Sequence, residues 1–244
     1  MRLDVFMSET GLAKSRTHAK NLVALGKVSI NGRLAEKPSE EIRCSDTVEV
    51  DRSDDFSSLG GLKLKHALDE FGLDPAGKVC IDIGSSNGGF TDVMLRAGAK
   101  KVYCVDIGEC ALPEEMTSDP RVEVRDRLNA RYLAFEDIGV KADMITVDVS
   151  FISLKLVLPA LVQFMKNDTS LVALIKPQFE VGRKFLTKTG IVRQERAAYG
   201  AVDGVTAFAS GLGLKAVGTV KAPHPFKEKN TEFLTLFRLV GGAE

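Results

Sequence analysis

Two polar side chains that could manage a proton stand directly after apolar runs in this sequence. Asp148 follows the run Met144 to Val147, and Lys176 follows the run Leu171 to Ile175. Both runs predict buried strands of a parallel sheet, whose carboxyl ends meet at one edge. A lysine at such an edge is partly desolvated, which favours the neutral amine that can act as a base. The spacing leaves a purely structural Asp148–Lys176 ion pair equally open.

A glycine-rich stretch from Val79 to Phe90 lies upstream and is typical of a ligand-binding turn. Its short apolar run, its three glycines and the helical apolar spacing that follows predict a strand, a tight turn and a helix. Glycines let the backbone approach a ligand, and the amides of the helix N-terminus then face that ligand. Asp82 inside the motif would repel a pyrophosphate but could accept a hydrogen bond from an ammonium group or a bound water. These features favour S-adenosylmethionine over a dinucleotide, and Asp106, which ends the next strand, is placed to meet ribose hydroxyls.

The elements that must position these residues alternate between strand and helix. Apolar runs predict strands at Val79–Ile83, Val102–Val105, Val122–Val124, Met144–Val147, Leu171–Ile175, Lys215–Val220 and Phe233–Leu239. Predicted helices at Leu154–Met165 and Gln194–Leu212 are long enough for the crossovers of a mostly parallel sheet. Because only Lys221 to Thr231 separates the last two strands, the final strand is predicted to be antiparallel. The expected fold class is α/β, with a seven-stranded Rossmann-like sheet of the methyltransferase type.

Composition excludes several classes of protein. The chain has 244 residues, 44% of them hydrophobic, which suits a small domain followed by a medium one. Lys+Arg and Asp+Glu are equal at 33 each, so any polyanion must be bound by a local patch. No apolar stretch reaches the roughly 18 residues of a membrane span, the cysteines lack a C-x-x-C pair, and the histidines lack metal-ligand spacing. We therefore expect a cytoplasmic protein in a reducing compartment, without disulfides or a bound metal.

The first fifty residues predict a small α+β domain. Leu3 to Phe6 provide a short apolar helical face, and Ser15 can cap a second helix. The run that begins at Lys27 alternates with period two and stops at an Asn-Gly pair, which is a strong hairpin signal. Thr47 to Val50 could add a third strand and close a small sheet.

Basic residues surround the second helix of this domain, and isolated charge runs of this kind are usually solvated surface. Here the order of several segments resembles the small RNA-binding domain named after the fourth small-subunit ribosomal protein. These segments are Arg2–Asp4, Gly11–Arg16, Gly26–Gly32 and Lys37–Pro38. The resemblance implies that the basic helix and the hairpin lie against structured RNA. The residues marked for RNA contact are Arg2, Lys14, Ser15, Arg16, Lys20, Lys27 and Asn31.

The chain divides into three predicted segments. Residues 1–50 form the small domain, residues 51–61 form a polar, Ser-rich linker that ends in paired glycines, and residues 62–244 form the α/β domain. Lys63 lies near the start of the next predicted helix, and Glu232 lies at the start of the last predicted strand. Their own stretches indicate only a surface lysine and an edge-strand charge.

Separated motifs along nearly the whole chain resemble the TlyA, or hemolysin A, family. They are Gly60–Leu64, Asp82–Thr91, Asp148–Leu154, Lys176–Glu180 and Asn230–Phe233. That family joins the RNA-binding domain described above to an FtsJ-like 2′-O-methyltransferase domain, and its members modify cytidines of rRNA. The resemblance implies a catalytic tetrad of Lys63, Asp148, Lys176 and Glu232, with rRNA in ribosomal subunits as the partner. Lys176 is then the base, Lys63 stabilises the developing alkoxide, and the two acids orient the lysines.

The resemblance also implies which residues hold S-adenosylmethionine. They are Asp82, Gly84, Ser85, Ser86, Asn87, Gly88, Gly89, Phe90, Asp106, Ile107 and Asp126. Two positions depart from the family pattern: Leu59 stands where an arginine is expected, and Gly108 to Pro113 replaces a loop that usually contains tyrosine. The first departure concerns an RNA or linker contact, and the second concerns the cofactor ribose and substrate preference.

Other activities are disfavoured by residue type. Methylation of an amino group would need an Asn/Asp-Pro-Pro-aromatic segment where this chain has Lys176 to Phe179. Methylation of carbon 5 would need a nucleophilic cysteine after Cys110, where the sequence has none. A pore-forming haemolysin would need membrane hairpins or a spanning helix. A non-catalytic RNA-binding or ribosome-binding factor that retains the fold is the alternative, and the intact tetrad argues against it.

Overall fold

The computed structural model describes residues 1–52, 56–224 and 229–241, and the chain divides into two compact units. The N-terminal unit begins at Met1, and the α/β unit begins at Phe56. Part of the predicted linker, residues 53–55, lies outside the described residues. No helix in the described ranges is long and apolar enough to cross a membrane.

The N-terminal unit has the predicted order of two helices and a small sheet. It contains helices α1 (Leu3–Glu9) and α2 (Arg16–Ala24), and an antiparallel sheet in the order β2 (Arg33–Leu34), β1 (Val28–Ile30), β3 (Val48–Val50). The Ser15 side chain accepts a hydrogen bond from the His18 amide at 3.1 Å, which confirms the predicted cap of α2. Asn31 and Gly32 both have positive φ, as a two-residue hairpin turn requires.

A seven-stranded sheet forms the centre of the α/β unit and confirms the predicted fold class. Its strands are β4 (Val79–Ile83), β5 (Lys101–Val105), β6 (Val122–Arg125), β7 (Ala142–Val147), β8 (Met165–Ile175), β9 (Leu214–Lys221) and β10 (Phe233–Leu239). The strands are arranged in the order β6-β5-β4-β7-β8-β10-β9. Strand β10 runs antiparallel to both of its neighbours, β8 and β9, so the prediction for the final strand is confirmed.

The helices of this unit flank the sheet. They are α3 (Gly60–Phe71), α4 (Gly89–Arg96), α5 (Glu114–Thr117), α6 (Leu158–Leu161), α7 (Pro177–Glu180) and α8 (Glu195–Ser210). Because α3 begins at Gly60, the paired glycines at the end of the predicted linker are helical. Helix α8 confirms the predicted helix Gln194–Leu212 with slightly shorter ends.

The predicted continuous helix from Leu154 to Met165 is wrong. This segment is a 3₁₀ turn, the single turn α6 and a second 3₁₀ turn, and strand β8 already begins at Met165. The physical reason is Pro159, which has no N–H to continue a helix that begins at Leu154 and fits only near the start of a new turn.

Alternate residues of the central strands belong to two separate apolar clusters. Ile81 and Ile145 lie in one cluster with α6 and α8, whereas Cys80 and Met144 lie in the other cluster with α3 and α4. Both clusters are buried because successive side chains of a strand point to opposite faces of the sheet. The two cores fix the strands, and the polar residues just beyond their carboxyl ends are thereby held at one edge.

Candidate active site

Two lysine–carboxylate pairs meet at the carboxyl edge of the sheet. The Lys176 Nζ atom lies 2.6 Å from Asp148 Oδ1, and the Lys63 Nζ atom lies 2.6 Å from Glu232 Oε2. Asp148 and Lys176 follow strands β7 and β8, as predicted from the apolar runs. Lys63 comes from the first turn of α3, and Glu232 directly precedes β10.

The antiparallel last strand explains how Glu232 reaches this edge. Phe233 is paired with Ile175 in the β8–β10 register, so the residue before Phe233 lies beside the residue after Ile175. A parallel strand would have placed Glu232 at the opposite edge of the sheet. The reversed strand therefore brings Glu232 to the side of the sheet where Lys176 lies.

The site contains buried oxygen atoms with unused hydrogen-bonding capacity. Lys176 donates to Ser150 Oγ at 2.8 Å, and its contact with Asp148 Oδ1 lacks hydrogen-bond geometry. Gln178 donates from Nε2 to Glu232 Oε1 at 3.4 Å, while its own Oε1 atom is buried. Within the described residues, neither Asp148 Oδ1 nor Gln178 Oε1 receives a hydrogen bond. The charge of Lys176 at 2.6 Å compensates Asp148 Oδ1, whereas the buried Gln178 Oε1 is a costly acceptor unless a ligand supplies a donor.

Glu180 joins the two loops that carry Asp148 and Lys176. Its carboxylate accepts hydrogen bonds from Ser153 Oγ at 2.6 Å and from the Leu154 amide at 2.7 Å. Ser153 belongs to the loop after β7, and Glu180 belongs to α7 after β8. The two loops are therefore fixed to each other rather than free to move independently.

Phe151 lies on the loop after β7 in a strained and exposed conformation. Its φ is +63°, which is rare for a bulky residue, and its side chain is 91% exposed. The ring centroid lies 5.1 Å from that of Phe179. Strain and exposure of an aromatic ring in the loop that carries Asp148 indicate a surface for a flat ligand.

The predicted glycine turn packs directly against the Asp148 backbone. Gly84 has φ of +82°, and a Cβ atom there would lie 2.3 Å from the Asp148 carbonyl oxygen. Gly88 has φ of +76°, and a Cβ atom there would lie 2.6 Å from the Leu112 side chain. The backbone conformation favours glycine at both positions, and at Gly84 the close approach to the Asp148 backbone also excludes a side chain. The turn therefore directly adjoins the loop that carries Asp148.

Asp82 lies behind the turn and cannot contact a ligand directly. Its side chain is fully buried and accepts hydrogen bonds from Thr91 Oγ1 at 2.7 Å and Thr146 Oγ1 at 2.8 Å. Burial raises the pKa of Asp82 to about 6, and the hydrogen bonds from the two threonines oppose that rise. The predicted contact with an ammonium group is therefore corrected: Asp82 holds the strand, the turn and α4 together.

Asp106 lies in front of the turn, at the end of β5. It accepts hydrogen bonds from the Ser86 and Gly108 amides at 3.0 and 2.9 Å. A carboxylate has room for further donors, so ribose hydroxyls can still be bound. Ile107 beside it is 69% exposed, which leaves an apolar surface next to a polar one.

The loop from Gly108 to Pro113, which departs from the family pattern, folds back onto the turn. Ala111 donates to the Ser86 carbonyl at 3.0 Å, and Cys110 Sγ lies 3.1 Å from Ser85 Oγ. The Cys110 amide also donates to Asp126 at 2.7 Å, and hydrogen bonds from Cys110 lower the pKa of Asp126. Glycine backbone, acidic side chains and an exposed Ile107 together fit a nucleoside with a cationic substituent.

Some of the predicted RNA-contact residues of the N-terminal unit also form contacts within that unit. Arg2 and Arg16 bind the fully buried Asp4 at 3.0 and 2.9 Å, and the Arg2 hydrogen bond is the main reason that the pKa of Asp4 is well below its usual range. Ser15 caps α2, as described above. Lys14 and Lys20 are exposed.

The other two of these predicted residues lie on the sheet side of the unit. Asn31 donates to Asp46 at 3.0 Å and accepts from the Thr47 amide at 2.9 Å. Lys27 pairs with Asp51 at 2.8 Å. The guanidinium groups of Arg2 and Arg16 remain about half exposed, so the buried acid orients them without hiding them.

Sequence reasoning missed Ser150, Phe151, Gln178 and Glu180. All four lie inside motifs that were recognised as wholes, and the signal for each was its place beside Asp148 or Lys176. Their individual contacts depend on loop geometry between strands, which no local pattern of residue types specifies.

Comparison with known proteins agrees with this architecture. The FtsJ-like methyltransferase family matches residues 56–239, and the S4 domain family matches residues 1–48. The 16S/23S rRNA (cytidine-2′-O)-methyltransferase TlyA of Mycobacterium tuberculosis is 40% identical, over 97% of this chain and 89% of that protein. Hemolysin A of Brachyspira hyodysenteriae is 34% identical, over 97% of this chain and 99% of that protein.

A solved structure supports the same relationship over the whole chain. A protein from Streptococcus thermophilus that is named as a hemolysin has a TM-score of 0.75 and 39% identity, and the match covers 98% of this chain and 88% of that chain. Together these matches show that this chain, which joins an S4 domain to an FtsJ-like methyltransferase domain, belongs to the TlyA/hemolysin A family.

Proposed function

We propose that this chain transfers a methyl group from S-adenosylmethionine to a ribose 2′-hydroxyl of rRNA, with cytidine as the nucleoside. The observation that carries the proposal is the meeting of two lysine–carboxylate pairs with a glycine turn, since Gly84 packs on the backbone of Asp148. The name of the Mycobacterium tuberculosis relative supports the cytidine 2′-hydroxyl as the acceptor.

The residues that would hold the cofactor line the front of the turn. The backbone of Gly84 to Gly89 would face the amino-acid part, Asp106 would bind ribose hydroxyls, and Ile107 and Asp126 would lie at the adenine. Ser85 and Phe90 are buried and support the turn from behind. S-adenosylmethionine would supply a methyl group on a positively charged sulfur, which is already activated for transfer.

The protein must then align the ribose oxygen and manage one proton. Lys176, as the free amine, accepts the proton of the 2′-hydroxyl while the oxygen–methyl bond forms and the carbon–sulfur bond breaks. Asp148 orients Lys176, because its carboxylate lies 2.6 Å from Nζ. Lys63 stabilises the developing alkoxide, and Glu232 holds Lys63 in place at 2.6 Å. General-base assistance of this kind contributes roughly 10²- to 10⁴-fold in rate.

Substrate docking is assigned to two surfaces. The exposed Lys14 and Lys20, with the oriented Arg2 and Arg16, bind phosphates of structured RNA in the manner of an S4 domain. Phe151 offers an exposed ring on which the nucleobase of the target can stack. Stacking would hold the nucleoside beside the proton-handling residues.

Methyl transfer to ribosomal subunits tests the proposal. Both purified subunits from cells that lack this gene are incubated with the protein and with cofactor labelled in its methyl group, and 2′-O-methylated nucleotides are then mapped. We expect label in rRNA at ribose 2′-oxygens, and labelling about 10³-fold slower with Lys176→Met. Binding of subunits without any transfer of label would contradict the proposal and favour the non-catalytic RNA-binding factor.

A further inference from the structure

A concentrated positive charge lies on the segment from residue 181 to residue 196, called the basic hairpin below. The whole chain has equal numbers of acidic and basic residues. This segment, in contrast, carries five exposed basic residues and one acidic residue, Glu195. The basic residues are Arg183, Lys184, Lys188, Arg193 and Arg196.

The basic hairpin has a defined backbone. Leu186 and Val192 form an antiparallel bridge, and the Thr187 amide donates to the Ile191 carbonyl at 2.8 Å. Gly190 makes the turn with φ of +79°, and the Arg193 amide donates to the Phe185 carbonyl at 2.9 Å. The basic side chains are therefore presented from a fixed scaffold.

Asn230 ties the basic hairpin to the element that carries Glu232. Its Oδ1 atom accepts from the Val192 amide at 2.8 Å, and its Nδ2 atom donates to the Gly190 carbonyl at 3.0 Å. Asn230 belongs to a recognised motif but has no part in the proposed chemistry. The hairpin also follows α7, which follows Lys176 directly. Two catalytic elements thus set the position of the hairpin.

Among the residues that the structure describes, no acidic side chain neutralises the basic side chains of the hairpin. In the described ranges, none of the five forms an ion pair, while Glu195 pairs with Lys221 at 3.1 Å. Lys184 lies over the Phe185 ring, and Arg193 Nε donates to the Leu186 carbonyl. Like charges held close together repel one another, so an external polyanion would relieve the repulsion.

We propose that the basic hairpin binds phosphodiester groups of the RNA strand beside the target ribose, with Asn230 fixing its distance from the catalytic residues. This inference rests on the proposed function, because it takes RNA as the substrate. Phosphate contacts position a nucleic acid without reading its sequence. The hairpin would therefore set the register of the strand in the α/β unit and add to the salt dependence of binding.

The test compares two triple variants. Arg183→Gln, Lys184→Gln and Lys188→Gln remove charge from the hairpin and keep the Arg193 backbone contact. Lys100→Gln, Lys141→Gln and Lys215→Gln remove three equally exposed charges near the amino ends of β5, β7 and β9. Equilibrium binding to purified ribosomal subunits is measured over a salt series, together with KM, kcat, cofactor binding and thermal unfolding.

We expect the hairpin variant to bind subunits more weakly and to raise KM at least tenfold. The slope of log K against log salt should become shallower by about 2, because each lost phosphate contact with a single strand contributes roughly 0.7. Its kcat, cofactor binding and unfolding temperature should equal those of the control variant. Unchanged binding and slope, or equal losses in both variants, would overturn the inference.

A further variant, Asn230→Ala, keeps every charge but releases the clamp. We expect a raised KM with an unchanged salt slope, and an unchanged KM would contradict the positioning role. Because subunit binding is measured without turnover, the inference can be judged even if the wild-type protein transfers no methyl group. A failure of the wild-type protein to transfer methyl groups would count against the proposed function and not against this inference.

Discussion

Strands β7 and β8 carry a lysine–aspartate pair at each of their two ends. At the amino end, Lys166 Nζ lies 2.5 Å from Asp143 Oδ1, and at the carboxyl end Lys176 Nζ lies 2.6 Å from Asp148 Oδ1. The residue types, the strands and the distances are nearly the same. Because the residue types are the same, any difference in function between the two pairs must come from their positions in the fold.

The difference lies in what else surrounds each pair. Asp143 uses its second oxygen to accept from the Val79 amide at 2.9 Å, and the side chains are 40% and 28% exposed. Asp148 has a buried oxygen without a hydrogen bond in the described structure, and there the side chains are only 11% and 22% exposed. The amino-end pair is more exposed and also holds the Val79 amide, whereas the carboxyl-end pair is more deeply buried and lies beside the glycine turn.

Replacing each of the two lysines in turn is the strongest test of whether the two pairs differ in function. We expect Lys176→Met to lower kcat by about 10³-fold, within the range of general-base catalysis, with cofactor binding retained. Lys166→Met should leave kcat within twofold and lower the free energy of unfolding by about 1 kcal/mol or less. Steady-state methyl transfer and urea unfolding measure both. Equal kinetic losses in the two variants would show that the ends are not functionally different.

Asp82 lies on β4, which pairs with β7. Its buried carboxyl should make the stability of the protein depend on pH. Its pKa is raised by burial from 3.8 to about 6, so the folded state holds a proton that the unfolded state has released between these values. The stability that this proton provides is present below pH 4 and is lost as the pH rises through 6. The loss is about 3 kcal/mol, at 1.36 kcal/mol per pKa unit.

Asp82→Asn should remove that loss. Urea unfolding from pH 4 to pH 7 is expected to show wild type losing about 2 kcal/mol relative to the variant, because the remainder of the loss occurs below pH 4. The control is Asp143→Asn at the amino end, where burial of Asp143 is outweighed by Lys166 and the Val79 amide and the pKa is lowered. Its stability difference from wild type should stay nearly constant from pH 4 to pH 7, because a carboxyl with a lowered pKa changes stability only as the pH falls below the ordinary value of 3.8. Parallel curves for Asp82→Asn and wild type would contradict the assignment.

A pair of glycines tests whether the glycine turn and the carboxyl edge of the sheet form one site. Gly84→Ala places a Cβ atom 2.3 Å from the Asp148 carbonyl, whereas Gly139→Ala, at a similar positive φ, meets nothing within 4 Å. Both should lose about 1 kcal/mol for the backbone conformation. Gly84→Ala should lose about 2 kcal/mol more through overpacking and should also lower kcat. Equal unfolding free energies for the two variants would show that the close contact of Gly84 with Asp148 does not limit the side chain at this position.

The smallest expected effect concerns Gln178, which donates to Glu232 at 3.4 Å. Gln178→Leu should lower kcat about tenfold without changing cofactor affinity, because Glu232 loses a donor that orients it. Gln178→Glu should restore none of that loss, since a second carboxylate repels Glu232. The pH profile of kcat separates this positioning role from a packing role, which would leave the profile unshifted.

Local patterns were sufficient for most of the fold. Apolar runs predicted all seven strands, and the short connection after Lys221 predicted the antiparallel β10. The broken segment from Leu154 to Met165 was missed because apolar periodicity outweighed Pro159 in the prediction. The burial of Asp82 behind the turn was not predicted, because the sequence does not specify whether its side chain faces the ligand side or the protein interior.

The site was predictable in part. Asp148 and Lys176 follow from strand ends, but their partners do not. Glu232 is far from Lys63 in sequence, and their 2.6 Å contact depends on the pairing of Phe233 with Ile175. Registers of this kind are set by the packing of whole strands, so motif resemblance supplied what local spacing could not.

The insertion of β10 between β8 and β9 also has a consequence for synthesis of the chain. A ribosome completes β8 and β9 before β10 exists, so the gap between them must stay open or be filled provisionally while translation proceeds. Until β10 enters that gap, Glu232 has no place beside Lys63 and the four-residue cluster is incomplete. We therefore expect nascent chains, and fragments that end before Phe233, to lack the Lys63–Glu232 contact of the proposed site.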